Sequence, residues 1–322
     1  MQFKHGLRIL AVAIGIAGPC GPMVAAAADK TPVKLASTSK EIFDNLALYV
    51  AANAGMFDKE GLAVEFGFFR GGGEVVRAVA SGSMEIGMVA TTAAILAAGT
   101  GQNLKIISSL TAPSYGVLWI VPADSPIKTI ADLSGKNVGF SRPGSVSHTA
   151  LLAALQANGI QDKVKLTPVG SPGDSWAAVK AGRLQASWHT LPNIYNLIDQ
   201  GEARILFHAS DHLKNYQQGA IVAMDGYLAK NGDTARKFLR AVANAVAYIG
   251  QNREGAIKIA AKEMEVSEKA AAATLDAMPK GWFRIGAPAQ KDFDGSMAEA
   301  EGTGALKQKP AYDAVVDKRF LP

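Results

Sequence analysis

The sequence predicts an α/β protein built as two lobes facing each other across a cleft, and three observations predict it. First, residues 62–92 and 162–192 match without a gap at an offset of 100, placing Val64 on Val164, Gly73 on Gly173, Ala78 on Ala178, Val79 on Val179 and Gly82 on Gly182. Identities this few also arise between two ordinary βαβ units. What points to two similar halves is the shared order of strand, glycine turn, helix, glycine and strand. Second, from Val33 onward short β-rich runs alternate with helical stretches, the sign of α/β layers around a mainly parallel sheet. Third, a chain of 322 residues exceeds what one hydrophobic core usually supports, and two lobes accommodate it.

The elements follow in order. Residues 1–28 read as a secretory leader: Lys4 and Arg8 supply the positive end, residues 9–18 are apolar, and Ala26-Ala27-Ala28 fits a small-residue cleavage site. The apolar run falls short of the roughly 20 residues a spanning helix needs, so the expectation is an exported, soluble protein of the periplasm. Cys20 is the only cysteine and lies inside the leader, which leaves a core large enough to need no disulfide. A lipid anchor at Cys20 is a second reading, disfavoured by Pro19 directly before it and by the later cleavage site.

The first strand is expected at 33–38, and Phe43, Leu46, Ala47 and Val50 then recur with helical spacing until Asn53-Ala54-Gly55 ends the helix. A strand at 62–69, a helix at 73–80, a strand at 86–90 and a helix at 92–98 come next. Strands at 104–110 and 116–122 are expected to complete the first lobe's sheet, with the chain crossing over at 122–126. The second lobe, 123–217, reads as a strand at 137–140, a helix at 146–158, a strand near 165, a helix at 174–181, a strand at 186–190, a helix at 192–198 opened by Pro192, and a strand near 205. A second crossing at 214–219 returns the chain, so that 29–122 and 218–322 form lobe 1. After a strand at 219–224, Ala-rich helices at 233–251, 253–264 and 267–278 cannot extend a parallel sheet and are expected to pack on the first lobe. Two crossings between the same lobes make a hinge. The tail, 301–322, reads as loop with one short helix and no assigned place.

The charge balance narrows the function. Thirty-three Lys and Arg against 28 acids give a formal +5, which falls to +3 when Lys4 and Arg8 leave with the leader. That surplus is too small and scattered for a nucleic-acid partner and mildly favours anionic solutes. Five histidines spread singly, with no cysteine left, offer no metal site, and no cofactor is expected. The run Arg70-Gly71-Gly72-Gly73-Glu74 is neither a phosphate loop nor a dinucleotide fingerprint. Ser147 and His148 are adjacent without a nucleophile elbow. No catalytic residue is expected.

The segments LALYVAANAGMFDKEGLAVEF, GGGEVVRAVASGSMEIGMVATTAAI, SPIKTIADLSGKNVGFSRPGS and AVKAGRLQASW, in that order and spacing, resemble the solute-binding proteins of ABC importers for nitrate, aliphatic sulfonates, taurine and thiamine precursors. The resemblance covers about residues 33–210 and is looser in the helical tail. It implies a periplasmic-binding-protein type II fold with two lobes joined by a two-stranded hinge. It also implies a monomer that delivers its solute to ABC permease subunits in the inner membrane and performs no chemistry on it. The solute is left open, because function resides in the site and not the fold. Pyrimidine-forming enzymes of thiamine biosynthesis also resemble this family, but they act inside cells and are associated with a cysteine-rich motif that this chain lacks. A periplasmic sensor subunit is a further role on the same fold.

In open α/β sheets ligands sit beyond the carboxyl ends of strands, where helix starts stabilise an anion by roughly 0.3–1 kcal/mol each. Lobe 1 offers Thr38, Ser39 and Phe43 after the first strand; Arg70 and Gly71 after the second; and Thr91 and Thr92 after the third. Lobe 2 offers Ser141, Arg142, Gly144 and Ser145 as an anion cradle, then Gly170, and then Trp188 and His189. Tyr115 precedes the first crossing. For Thr38, Ser39, Thr91 and Thr92 helix capping is the competing reading, for Trp188 core packing, for His189 a structural hydrogen bond, and for Arg70 a solvated surface. The expected solute is a small organic anion, an aliphatic sulfonate or taurine first. Nitrate, an aromatic carboxylate or a pyrimidine comes second. Arg142 and Arg70 would meet the acid group, and Phe43 or Trp188 the remainder.

Overall fold

The computed structural model describes residues 29–143 and 145–322; the expected leader and Gly144 lie outside the described residues. Among the described residues ten strands form: β1 (Thr31–Ser37), β2 (Leu62–Phe68), β3 (Ile86–Ala90), β4 (Leu104–Thr111), β5 (Val117–Pro122), β6 (Asn137–Phe140), β7 (Lys165–Pro168), β8 (Ser187–Thr190), β9 (Ala203–His208) and β10 (Gly219–Met224). Twelve α-helices are interleaved with them: α1 (Leu46–Asn53), α2 (Met56–Lys59), α3 (Gly72–Ala80), α4 (Thr91–Gly99), α5 (Val146–Ala157), α6 (Pro172–Lys180), α7 (Ile194–Asp199), α8 (Asp225–Gln251), α9 (Arg253–Met264), α10 (Glu268–Ala277), α11 (Gln290–Gly302) and α12 (Tyr312–Val315). The strands gather into two groups of sheets, one per lobe.

Lobe 1 holds one five-stranded sheet in the order β2-β1-β3-β10-β4, with β1 parallel to β2 and β3, and β10 antiparallel to β3 and β4. Lobe 2 holds β8-β5-β9, with β5 antiparallel to both neighbours, and the parallel pair β6-β7. A bridge between Val138 and Ala186 joins these pieces, supported by hydrogen bonds from Gly139 N to Ala186 O (2.9 Å) and from Gln185 N to Asn137 O (2.9 Å). Read across that bridge, the order is β7-β6-β8-β5-β9, the first lobe's order strand for strand.

The repeat lies at the centre of this correspondence. Helices α3 and α6 occupy 72–80 and 172–180, in step with the offset of 100. Both end before a glycine in the left-handed region, Gly82 at φ +75° and Gly182 at φ +71°. That conformation is costly for any residue with a Cβ, which accounts for the shared glycine.

Strand β5 departs from expectation. It pairs with β8 and β9, so 117–122 belong to the second sheet, and the chain crosses in the five residues 112–116, ahead of Pro122. The alternation along β5 explains the placement: Leu118 and Ile120 enter the core beneath α6 and α7, while Trp119 and Val121 enter the core beneath α5. A strand buried on both faces is a central strand. The core role expected for Trp119 is what the ring does, fully buried and stacked on Phe207 at 4.7 Å. The same alternation recurs in β10, where Ala220 and Val222 face α3, α4 and α11, and Ile221 and Ala223 face α1, α8 and α9. The chain returns to lobe 1 between His208 and Gly219.

Two further features differ from the sequence reading. The helical region packs chiefly on lobe 1 through α8 and α9, but α10 also reaches lobe 2, where Lys269 pairs with Asp199 of α7 at 2.9 Å and Met278 packs on the lobe 2 core. The tail is tied to lobe 1: Val316 bridges Ile106 of β4, and Phe320 is buried against the α8 side. Helix α7 starts at Ile194, not at Pro192, because 191–193 form the turn that leaves β8.

Candidate functional site

A cavity of about 680 Å³ lies between the lobes and is lined from both. Lobe 1 contributes Thr38 and Asp44 after β1, Gly71, Gly72 and Gly73 at the start of α3, Ala90 and Thr92 where β3 enters α4, Gln218 just before β10 and Gly219 at its start, and Glu299 from α11. Lobe 2 contributes Val117 of β5, Ser141, Arg142, Ser145 and Ser147 around the start of α5, and Trp188 of β8. The volume falls in the range of small-molecule sites.

The wall from lobe 2 is rich in donors. The hydroxyls of Ser141, Ser145 and Ser147 form a triangle at 2.7–2.9 Å, and Ser147 Oγ also accepts from the backbone N–H of Ser141 at 3.0 Å. Ser145 is the N-cap of α5, its hydroxyl accepting from the N–H of His148 at 3.2 Å. A serine at this position satisfies a backbone donor that the helix leaves unpaired. Beside the triangle, Trp188 is half-buried with its Nε1 enclosed and without a hydrogen-bond partner. A buried N–H left unpaired costs about 1–3 kcal/mol, so an acceptor placed there would be stabilised.

Arg142 reaches across the gap. Its Nη1 donates to the carbonyl of Arg70 at 3.1 Å, and it passes over Gly71, where an added Cβ would lie 1.7 Å from Nη2. Gly71 is also held at φ +90°, so this contact between lobes requires glycine for space and for conformation.

The wall from lobe 1 carries acceptors. Asp44 is 7% exposed, with Oδ1 accepting from the Thr111 hydroxyl at 2.5 Å. Burial pushes its carboxyl above the ordinary range, and the Thr111 bond pulls it partly back. Glu299 is 4% exposed and accepts from Thr92. Burial raises its pKa as well, against the pull of the Thr92, Tyr216 and Thr149 hydroxyls. Oε1 of Glu299 and Oε1 of Gln218 are buried without a hydrogen-bond partner. Among the described residues, neither Asp44 nor Glu299 has a Lys, Arg or His within ion-pairing distance. What the arrangement can do is hold a solute by donors on one side and acceptors on the other.

Of the residues singled out from sequence, Thr38, Gly71, Thr92, Ser141, Arg142, Ser145 and Trp188 meet on this cavity. Gly144 lies outside the described residues. The others stand elsewhere. Phe43 is 1% exposed and packs on Trp282 and Phe283, because the turn before α1 aims it into the core. Arg70 keeps its side chain in solvent and offers Arg142 only its carbonyl. Ser39 turns to Glu41, and Thr91 is buried at the first residue of α4. Tyr115 stacks on His208 at 4.2 Å. Gly170, at φ +74°, makes the turn before α6 away from the cavity. His189 is buried, its Nδ1 accepting from the N–H of Thr190 at 2.9 Å, and burial lowers its pKa. Asp44, Gln218 and Glu299 were not legible as site residues, since they come together only through the fold.

A family model described as NMT1/THI5 like matches residues 42–256. A protein of Escherichia coli (strain K12) named "Putative aliphatic sulfonates-binding protein" is 30% identical over 212 residues, covering 66% of this chain and 65% of that protein. The chain thus spans just under two thirds of that relative's length. A formylaminopyrimidine-binding protein of Halalkalibacterium halodurans is 25% identical over 218 residues, covering 66% of this chain and 64% of the relative. Among solved structures, the periplasmic aliphatic sulphonate binding protein SsuA from Escherichia coli superposes with a TM-score of 0.77 at 24% identity, covering 89% of this chain and 92% of that one.

Proposed function

From the premise that this chain belongs to the NMT1/THI5-like family, we propose that it is the solute-binding component of an ABC importer. It captures a small organic anion of the aliphatic sulfonate class between its lobes in the periplasm and delivers it to a membrane permease. The observation that carries this reading is the donor wall of lobe 2: three serine hydroxyls at the start of α5, the Trp188 N–H, and a guanidinium close by. A sulfonate presents three acceptor oxygens in a compact head, and such a head suits hydroxyl, N–H and guanidinium donors converging from several directions. The aliphatic sulfonate-binding relative supports the same class of solute.

Capture here means closure. Arg142 on lobe 2 grips the Arg70 carbonyl on lobe 1 at the mouth of the cavity, so the lobes are drawn together where an acid group would lie. Excluding water strengthens every polar contact inside. Release to a permease then requires only that the 112–116 and 209–218 connections flex.

A thermal-shift panel tests the reading. At about 100 times its dissociation constant, a ligand that binds only the folded chain adds about 2.7 kcal/mol of stability, a shift of several degrees for a chain of this size. An alkanesulfonate is expected to produce that shift. Nitrate, benzoate and aminopyrimidines at equal concentration are expected to produce less. A shift from the pyrimidine alone would move the solute class to that of the formylaminopyrimidine-binding relative.

A further inference from the structure

The donor wall and the contact at the mouth occupy only one part of the cavity between the lobes. Its volume of about 680 Å³ suits a drug-sized molecule and exceeds what an acid head alone fills. The lining continues from the start of α3 along a groove between α3 and α4. Gly73, Val76 and Arg77 share one face of α3, and Ala93, Leu96 and Ala97 one face of α4, since residues three and four apart are neighbours on a helix surface. The two helices touch where Gly72 meets Ala93, a Cβ on the glycine falling 2.8 Å from that of the alanine. Val76 and Ala97 are buried on the groove's floor, and Ala93 and Leu96 are half-buried beside them.

Arg77 stands on the rim of this groove. Its guanidinium folds back toward the start of α3, so that Nη1 lies 3.7 Å from where a Cβ on Gly73 would sit. Among the described residues no carboxylate is within ion-pairing distance of it, whereas Arg240, Arg253, Arg284 and Arg319 each pair with one. Glu74, one turn away on the same helix, accepts instead from the backbone N–H of Arg70 at 3.0 Å. Arg142 approaches the same helix start from lobe 2, over Gly71. Gly71 and Gly73 are two residues apart, a span of at most about 7 Å, so the two guanidiniums lie on the order of 10 Å from each other.

We propose that the solute is an extended organic dianion: a sulfonate head at the donors of lobe 2, an apolar spacer along the groove between α3 and α4, and a second acid group at Arg77. This rests on the sulfonate reading and adds a far end to it. Two cations facing one cavity are each stabilised by an anion, and a spacer of several methylenes lets one molecule reach both while covering Val76, Ala93, Leu96 and Ala97. The carboxyls on the rest of the lobe 1 lining, Asp44 and Glu299, have pKa values raised by burial, which lessens their repulsion of a second acid group. Arg77 then determines specificity for length and terminal charge together. A methyl-terminated sulfonate of the same length leaves it unmatched.

The test is a calorimetric titration with two matched pairs: pentane-1-sulfonate against 5-sulfopentanoate, and ethanesulfonate against sulfoacetate. Within each pair a carboxylate replaces the terminal methyl. 5-Sulfopentanoate is expected to bind about five- to tenfold more tightly than pentane-1-sulfonate, between the worth of an exposed ion pair and that of a hydrogen bond to a charged group. Sulfoacetate, whose acid groups are one carbon apart, cannot hold the serine wall and Arg77 at once and is expected to gain less than about twofold over ethanesulfonate. In Arg77→Gln the gain of 5-sulfopentanoate should shrink toward unity while pentane-1-sulfonate affinity changes by less than about twofold. The residue is exposed, so the variant is expected to fold as the wild type does. Equal affinities of the wild-type chain for the five-carbon pair, an equal gain in both pairs, or a gain that survives in Arg77→Gln overturns the second acid site and leaves the sulfonate reading standing. Failure of every probe to bind overturns the sulfonate reading, and the second acid site falls with it.

Discussion

The two lobes carry the same strand order, β2-β1-β3-β10-β4 against β7-β6-β8-β5-β9, yet they meet the cavity with opposite chemistry. Lobe 1 presents Asp44, Gln218 and Glu299; lobe 2 presents Ser141, Arg142, Ser145, Ser147 and Trp188. The repeated helices show how a shared frame is put to different use. The start of α3 lies on the cavity with a glycine before it and no side-chain cap, so its backbone is open to approach by Arg142. The start of α6, one hundred residues on, is capped by Ser171, whose hydroxyl accepts from the Asp174 N–H at 3.1 Å, and lies off the cavity. The frame repeats because strand pairing and helix packing demand the same pattern, whereas the chemistry at the strand ends is free to differ.

That contrast can be broken by substitution, and the largest effect is expected at Arg142. Arg142→Ala removes both the charge on the donor wall and the bond to the Arg70 carbonyl. Affinity for a sulfonate should fall by roughly two orders of magnitude, measured by calorimetry. The apo melting temperature should change by no more than a degree or so, because the residue is exposed.

Next is Gly71→Ala, which places a methyl against Arg142 and forces an L residue to φ +90°. Sulfonate affinity should drop about tenfold as closure is obstructed, and the folded state should lose about 1–3 kcal/mol from backbone strain. Combining it with Arg142→Ala should relieve the steric share and leave the backbone share, which a double-mutant cycle on denaturant midpoints separates.

A paired comparison of caps sharpens the contrast between the lobes. Ser145→Ala and Ser171→Ala each remove an N-cap and should each cost about 1 kcal/mol, read from urea unfolding. Only Ser145→Ala should also weaken the ligand, since Ser145 belongs to the cavity and Ser171 does not.

The smallest effect concerns pH. Glu299 has its folded pKa raised by burial, so the folded chain holds that proton after the unfolded chain has released it near pH 4. Stability therefore falls as pH rises from about 4 through the raised value. Glu299→Gln should flatten that decline by up to about 1.4 kcal/mol per pH unit, seen in melting temperatures across the window.

Much of the frame was legible because local signals agree with it. The offset of 100 located β2-α3-β3 and β7-α6-β8, and the Ser-Arg-Pro-Gly-Ser run marked the start of α5. Strand β5 was misassigned because its sequence says only that both faces are buried. Which sheet receives it depends on five residues, 112–116, that carry no directional signal. Trp282 and Arg284 pin that connection, through Trp282 Nε1 donating to Pro113 O at 2.8 Å and Arg284 Nη2 donating to Ala112 O at 2.9 Å, a contact across some 170 residues. The acceptor wall was hidden for the same reason. Asp44 sits beside a hydrophobic helix and Glu299 within α11, where a carboxylate ordinarily faces water; the partners that hold them inside, Thr111 of β4 and Thr92 of α4, are 67 and 207 residues away in sequence. Phe43 was misread in the opposite sense, as an aromatic beside polar residues whose ring in fact belongs to the core.

The most direct measurement is a crystal structure grown with 2-bromoethanesulfonate, whose bromine marks one end of the ligand by anomalous scattering. The sulfonate oxygens should lie within hydrogen-bonding distance of Ser145 and Arg142, with the bromine toward lobe 1. Ligand density outside the gap between the lobes, or a sulfonate lodged against Glu299 and Asp44 with its bromine toward Ser145, would contradict it.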